Sequence, residues 1–310
     1  MTTTPPTLSP PRTAKSGEPG PVPSPAPTPL RRRRRVFSWG SVVKHVLLSA
    51  LALTMIYPLL WLLASSFKPT DTIFRELGLI PNAPTFANYA HGWNAFAYPF
   101  SRFLWNSVII AVGAIIGNLI SCSLAAYAFA RMRFRGRGFM FATMLLTLML
   151  PFQVTVVPQF IVFRQFGWVN TFYPMIVPKF LATDAFFVFL MVQFIRGLPR
   201  ELDEAARIDG AGHFRIYSRI ILPLMTPALA TTAIFTFIWT WNDFFTQLLY
   251  LTRLKDKTAA VALNMYLDAT STSDYGAMFS MSVVSLVPLF FIFLFGQRWL
   301  IRGIATTGIK

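Results

Sequence analysis

Six apolar segments, each long enough to cross a lipid bilayer, constrain this chain more than any other feature of its sequence. A helix needs about 20 apolar residues to span the hydrocarbon core of a bilayer. Charged residues make up 13% of the chain, against about 25% in soluble domains. We therefore predict an all-α membrane protein with six transmembrane helices. The segments lie near residues 43–66, 103–130, 139–163, 172–195, 224–250 and 278–300.

The basic residues indicate topology rather than nucleic-acid binding, although the net charge is +16. Twenty of the 28 Lys and Arg residues fall in regions that share one side of the membrane if the N-terminus is cytoplasmic. Cytoplasmic loops carry such an excess of positive charge. The distribution places both termini and the loop after the fourth segment in the cytoplasm. It predicts a multi-pass membrane protein, in contact with lipid and with no nucleic acid.

The first 35 residues differ in composition from the rest of the chain. Residues 1–30 hold ten of the 23 prolines, together with Ser, Thr and Gly, and five arginines follow at 31–35. Such a segment cannot bury a core, so we predict a disordered, Pro/Arg-rich cytoplasmic tail over residues 1–35. Cys122 is the single cysteine, and the three histidines are scattered without metal-ligand spacing. We predict no metal site.

The polar stretch at residues 196–223 is longer than a turn between two helices requires. Pro199 can occupy the first turn of a helix, and the acidic residues after it suit a helix N-terminus. Ala205 and Ala206 would give that helix a narrow face, and Gly210 is a natural terminator. We predict two short helices on the membrane surface that bind another protein. An interfacial helix without a partner is the alternative, which does not explain the Ala and Gly positions.

Polar residues inside the apolar segments indicate either a passage for a polar solute or a local irregularity of a helix. Gln153 lies between Pro151 and Pro158, and each proline removes a backbone donor and kinks a helix. The kink could line a water-filled path or be purely structural. Asp184 lies midway along the fourth segment, where a carboxylate should face the bundle interior. It could line a passage or cap a helix after a break at Pro178.

Trp241, Asn242 and Asp243 lie toward the predicted outer end of the fifth segment. Aromatic rings stack on the C–H faces of sugars, and amide and carboxylate groups bind their hydroxyls. A sugar-contacting surface is one interpretation of this run. The other is a belt of aromatic residues at the membrane interface, with polar residues at the end of the helix.

The loop at residues 196–223 resembles the EAA motif of permease subunits of binding-protein-dependent ABC importers. The motif is Glu-Ala-Ala, three residues, Gly, nine residues, Ile, one residue and Leu-Pro, and a match of this length is specific. Over residues 36–310 the chain is similar to the smaller, six-helix (MalG-like) permease of the carbohydrate class. The motif residues are Glu204, Ala205, Ala206, Gly210, Ile220, Leu222 and Pro223.

The resemblance implies a type I ABC importer permease fold, with residues 36–310 as the transmembrane permease domain and 196–223 as its cytoplasmic coupling loop. The loop would seat on an ATPase subunit and convert ATPase closure into alternating access. The implied ATPase-coupling residues are Glu204, Ala205, Ala206, Asp209, Gly210, Ala211, Leu222 and Pro223. The candidate solute path consists of Gln153, Asp184, Trp241, Asn242 and Asp243.

The resemblance also implies a location in the bacterial cytoplasmic (inner) membrane, partners and a cargo. The partners would be a second permease subunit in a heterodimer, two ATPase subunits and an extracytoplasmic solute-binding protein. ATP and Mg²⁺ would bind to the ATPase, so the chain itself would carry no cofactor and no enzymatic activity. The expected cargo is a sugar, in particular a di- or oligosaccharide. The alternatives are an ABC permease for another polar solute, such as a polyol or glycerol phosphate, and an ion-coupled secondary carrier that acts alone.

Overall fold

The computed structural model describes residues 39–267 and 273–307, and the tail predicted at residues 1–35 lies outside the described residues. The chain divides into two units, residues 1–52 and 53–310. In its described part the first unit consists of the first half of one helix, and the second unit contains the remaining elements. All regular secondary structure within the described ranges is helical. The predicted fold class is confirmed.

The α-helices are numbered in chain order, and two short 3₁₀ turns and one π turn connect some of them. The α-helices are α1 (Trp39–Ser66), α2 (Ala87–Asn94), α3 (Phe100–Arg131), α4 (Arg137–Thr147), α5 (Phe152–Gln165), α6 (Tyr173–Ile176), α7 (Ala185–Arg196), α8 (Glu201–Ile208), α9 (His213–Ile216), α10 (Leu222–Leu224), α11 (Thr226–Asn242), α12 (Phe245–Tyr250), α13 (Ala259–Met265) and α14 (Tyr275–Thr307). The 3₁₀ turns are Val177–Leu181 and Leu254–Asp256, and the π turn is Tyr217–Ile221.

Four stretches among the described residues are long and apolar enough to cross a membrane, and two bent helix pairs raise the possible number to six. This agrees with the six predicted segments in number and approximate place. The four are Val42–Ser66, Phe100–Arg131, Tyr173–Arg196 and Tyr275–Arg298.

The third predicted segment, 139–163, is two helices rather than one. α4 and α5 meet at an angle of 101°. Pro151 precedes α5 in an extended conformation, with ψ at 136°, and as a proline it cannot donate to the preceding turn. Pro158 lies inside α5 without ending it. Of the two predicted kinks, the one at Pro151 separates two helices.

The fourth and fifth predicted segments are also interrupted. The fourth contains a 3₁₀ turn that ends at Ala182, whose φ of 55° lies in the left-handed region. The fifth, predicted at 224–250, begins with a 74° bend before α11, and α11 ends at Asn242. Asp243 is extended there, so residues 245–250 form the separate helix α12.

The long helix α3 lies against α7 and α11 and against the interrupted fourth segment. Two glycines of α3, one turn apart, allow its close approach to the interrupted part of the fourth segment. A Cβ atom at Gly113 would lie 2.9 Å from Ile176 Cδ1, and one at Gly117 would lie 2.9 Å from Lys179 Cβ and from Phe180 Cδ2. The main apolar core lies where α3 meets α7, α9 and the π turn. It includes Cys122, Ala126, Phe187, Met191, Ile195, Ile216 and Ile221.

Candidate coupling loop and solute path

Helix α8 contains the predicted Glu-Ala-Ala sequence and ends where the sequence predicts. Its first turn carries three acidic residues, which the positive end of the helix dipole stabilises. At its C-terminus, the N–H of Gly210 donates to Arg207 O at 3.0 Å and that of Ala211 donates to Ala206 O at 2.9 Å. This pair of bonds closes a helix when the first of the two donor residues, here Gly210, is left-handed. Gly210 has a φ of 77°, a conformation that favours glycine.

The two alanines of the motif lie on different faces of α8, about 100° apart. Ala205 is exposed next to the exposed Glu204, whereas Ala206 is buried in the main core. The predicted narrow face formed by both alanines is therefore not what the structure shows. A helix turns 100° per residue, so adjacent residues cannot both lie on one narrow face. Ala206 holds α8 against the protein, and Ala205 belongs to its outer surface.

The outer surface of the loop also carries large apolar side chains. Ile208 is 87% exposed and Phe214 is 75% exposed. Asp209 and Gly210 are exposed, as is Pro223, whereas Ala211 and Leu222 are partly buried.

The chain after Gly212 is held to α3 through the π turn. Tyr217 is buried, and its hydroxyl lies 2.7 Å from Ser123 Oγ of α3. Ile216 and Ile221 are fully buried on the same stretch. The loop at 196–223 thus has an attached inner side and an open outer side.

A buried ion pair that the sequence analysis did not single out joins α8 to the end of α3. Arg131 Nε lies 2.9 Å from Asp203 Oδ2, and the two side chains are 4% and 8% exposed. Arg131 Nη2 also donates to Leu198 O at 2.8 Å. In the sequence Asp203 looks like its acidic neighbours. No local pattern in the sequence distinguishes it, because its partner Arg131 lies 72 positions earlier in the chain.

Asp184 belongs to a polar cluster that we define as Asn118, Lys179, Asp184 and Thr236. Lys179 Nζ lies 2.8 Å from Asp184 Oδ2 and 3.0 Å from Oδ1. Asn118 Nδ2 donates to Asp184 Oδ2 at 2.6 Å and to Thr236 Oγ1 at 3.1 Å. The cluster joins the second, fourth and fifth segments. Asp184 precedes α7, but its side chain makes no capping hydrogen bond there.

The structure does not assemble Trp241, Asn242 and Asp243 into one surface. Trp241 is buried, stacks on Phe237 with ring centroids 5.2 Å apart, and donates from Nε1 to Ser285 O at 3.2 Å. Trp241 is thus a core residue and is not available to a solute in this conformation. Asn242 is exposed and donates to a carbonyl of its own helix, while Asp243 Oδ1 accepts from the backbone N–H that begins α12.

Gln153 is not part of the polar cluster. It is exposed in the first turn of α5. The aromatic exposed near the end of α11 is instead Trp239, whose ring packs 5.1 Å from that of Phe187. Of the predicted path residues, the geometry thus connects Asp184 with other segments and leaves Gln153, Asn242 and Asp243 as separate polar positions.

A family model for the inner-membrane component of binding-protein-dependent transport systems matches residues 117–306. The chain belongs to this family. The matched range contains α8, its terminating turn and the polar cluster. The chain is therefore a multi-pass, non-catalytic permease subunit of the inner membrane, and it works with an ATPase and a solute-binding protein.

Curated relatives match the chain over most of its length. The diacetylchitobiose uptake system permease protein NgcG of Streptomyces coelicolor is 34% identical over 83% of this chain and 85% of the relative. The arabinooligosaccharides transport system permease protein AraQ of Halalkalibacterium halodurans is 33% identical over 89% of this chain and 97% of the relative.

A solved structure shares the fold. It is a bacterial ABC transporter involved in import of the acidic polysaccharide alginate, and one of its chains matches with a TM-score of 0.74 and 23% identity. The match covers 86% of this chain and 99% of that chain. This likeness supports the type I permease fold.

Proposed function

We propose that this chain is the permease subunit through which a di- or oligosaccharide enters the cell, driven by ATP bound on separate subunits. The proposed cargo rests on the match, over more than four-fifths of the chain, to permeases named for diacetylchitobiose and for arabinooligosaccharides. The functional unit is a heterodimer of this chain with a second permease, two ATPase subunits that bind ATP and Mg²⁺, and an extracytoplasmic binding protein.

In this proposal, the outer surface of the loop at 196–223 is the seat of the ATPase. Its support is the coincidence of the exposed motif residues with two large apolar side chains, Ile208 and Phe214, on the predicted cytoplasmic side. Burying such a side chain against a partner stabilises the complex by about 1.5–3 kcal/mol. Glu204, Ala205, Asp209 and Gly210 would contact the ATPase, and the partly buried Ala211 and Leu222 would support them.

The solute path in this proposal runs along the polar cluster. Lys179 and Asp184 are 29% and 23% exposed in the isolated subunit, within an otherwise apolar segment. Charged groups are costly in lipid, so such a pair faces a water-filled passage or the second permease. Gln153, Asn242 and Asp243 are further polar positions for that passage.

The test is solute uptake by proteoliposomes that contain this chain, its second permease and its ATPase, with the binding protein outside. Labelled di- and oligosaccharides should accumulate only with ATP inside. Accumulation of a polyol or glycerol phosphate instead would show that the proposed cargo is wrong and that the chain is still part of an ATP-driven importer. Gradient-driven uptake by vesicles that hold this chain alone would refute the proposal and favour a secondary carrier.

A further inference from the structure

The inner side of α8 is attached to the membrane domain in an unusual way. Among its eight residues, Asp203 and Ala206 are buried, and the others are exposed. The single methyl group of Ala206 buries little surface, so it does little to hold α8 in place. The ion pair between Asp203 and Arg131 adds a buried charged contact between α8 and the end of α3.

We propose that Arg131 and Asp203 are positioning residues for coupling, forming the link through which movement of α8 is transmitted to α3. The inference rests on the proposed role of α8 as the helix that seats on the ATPase. Asp203 directly precedes Glu204 on the outer surface, so a displacement applied there reaches the ion pair through one backbone step.

The contacts of Arg131 suit a link that transmits movement of α8 in either direction. Arg131 holds Asp203 at 2.9 Å and also donates to Leu198 O, in the turn before α8. The guanidinium thus fixes two points of the loop at once. Arg131 Nε and the other carboxylate oxygen, Asp203 Oδ1, are both buried without a hydrogen-bond partner among the described residues, so the two side chains attract each other as an ion pair rather than through a hydrogen bond. The attachment of Asp203 therefore depends on Arg131, and breaking it leaves a buried charge unpaired.

On the other side of the ion pair, the continuous helix α3 extends to the polar cluster. Arg131 is the last residue of α3, and Asn118 lies 13 residues earlier on the same helix. At 1.5 Å per residue, this separation is about 20 Å along the helix axis. A tilt or shift of α3 imposed at Arg131 would move Asn118 against Asp184 and Thr236. A two-point contact and one continuous helix thus connect the loop with the candidate solute path.

The test compares three variants in the complete transporter. Asp203→Asn removes the charge and keeps the shape. Arg131→Lys keeps the charge but lacks the planar fork that contacts Asp203 and Leu198 together. Asp71→Asn is the matched control, because it makes the same Asp-to-Asn change at an exposed position outside the loop at 196–223. The measurements are copurification with the ATPase, ATP hydrolysis in the presence of loaded binding protein, and solute uptake per ATP.

We expect Asp203→Asn and Arg131→Lys to copurify with the ATPase and hydrolyse ATP, but to transport at least tenfold less solute per ATP than the wild type. Asp71→Asn should match the wild type. The charge-swapped double variant, Arg131→Asp with Asp203→Arg, should recover part of the loss, which a general loss of stability would not explain.

Wild-type uptake per ATP in both single variants would overturn the inference. So would loss of the ATPase, or failure of both variants to assemble, because the pair would then serve folding or docking rather than transmission. If α8 were not the coupling helix at all, a Gly210→Trp variant would bind the ATPase and transport normally. That result would refute the proposed role of α8 separately.

Discussion

Gly210 and Gly212 allow the left-handed turn after α8 to be tested apart from any steric effect. A Cβ atom at either position would have nothing within 4 Å. The two differ in backbone conformation, since Gly210 has a φ of 77° and Gly212 a φ of −74°. Replacement of each by alanine therefore adds the same methyl group to open space, and strain arises at Gly210 alone.

The expected magnitude follows from that strain. An L-residue in the left-handed region costs about 1–2 kcal/mol relative to glycine. The smaller entropy of an unfolded chain containing alanine offsets part of this cost, so the net loss is about 1 kcal/mol. The free Gly210→Ala loop can relax, and seating on the ATPase must restore the turn. Since 1.4 kcal/mol corresponds to a factor of ten, Kd for the ATPase should rise about fivefold.

The assay is a titration of fluorescently labelled ATPase into the permease heterodimer reconstituted in nanodiscs. Gly212→Ala should leave Kd within twofold of the wild type. Gly210→Asn should fall between the wild type and Gly210→Ala, because asparagine tolerates the left-handed region better than alanine. Equal effects of Gly210→Ala and Gly212→Ala, or none from either, would refute the argument that this turn shapes the ATPase seat.

Three further predictions concern the stability of the membrane and external regions. Asn118→Leu removes a donor from Asp184 and should lower the free energy of unfolding by about 1–3 kcal/mol, seen as a lower Tm in detergent. Gly117→Leu should lower the free energy of unfolding by about 1–3 kcal/mol, because the added side chain overpacks the contact with the fourth segment. Gly138→Ala, in the open surroundings of α4, should leave the Tm unchanged or raise it. Equal Tm values for the two variants would contradict the close approach at Gly117. Burial and, secondarily, a nearby carboxylate raise the pKa of Tyr266. Its contribution to stability is therefore complete below pH about 10 and is lost progressively as the pH rises further, so Tyr266→Phe should make the Tm less dependent on pH between about 8 and 11.

The sequence predicted the long apolar stretches, four to six of which can span a membrane, because length and composition alone decide whether a helix can span a bilayer. It also predicted the end of α8, because a glycine at that point has a local conformational reason that needs no knowledge of the rest of the fold. The angle at Pro151 was not predictable. Proline identifies where a helix is interrupted, but packing against other segments decides whether the chain bends slightly or by 101°.

Residue types alone misplaced Trp241. An aromatic ring at a membrane interface, on a sugar-binding surface or in a core has the same identity in the sequence. The spacing of Phe237 and Trp241 contained the better signal, since residues four apart lie on one helix face and these two rings stack. Asp203 was missed for a related reason. Its burial depends on Arg131, which lies 72 positions earlier in the chain, and no local pattern connects the two residues.

The interruption of the fourth segment and the composition of α3 explain each other. An interrupted helix inside a membrane leaves backbone groups that lipid cannot satisfy, so protein groups must replace the missing bonds. Ser121 of α3 donates to the backbone oxygen of Lys179 at 2.6 Å, and Asn118 donates to the side-chain carboxylate of Asp184 just beyond the interruption. Gly117 lets the two elements approach closely enough for both contacts. A glycine, an asparagine and a serine within five residues of α3 are therefore the complement of the irregular backbone opposite them. Because the same groups fix the Lys179–Asp184 pair, the irregular backbone and the candidate solute path are one feature. A substitution that straightened the fourth segment would disrupt both.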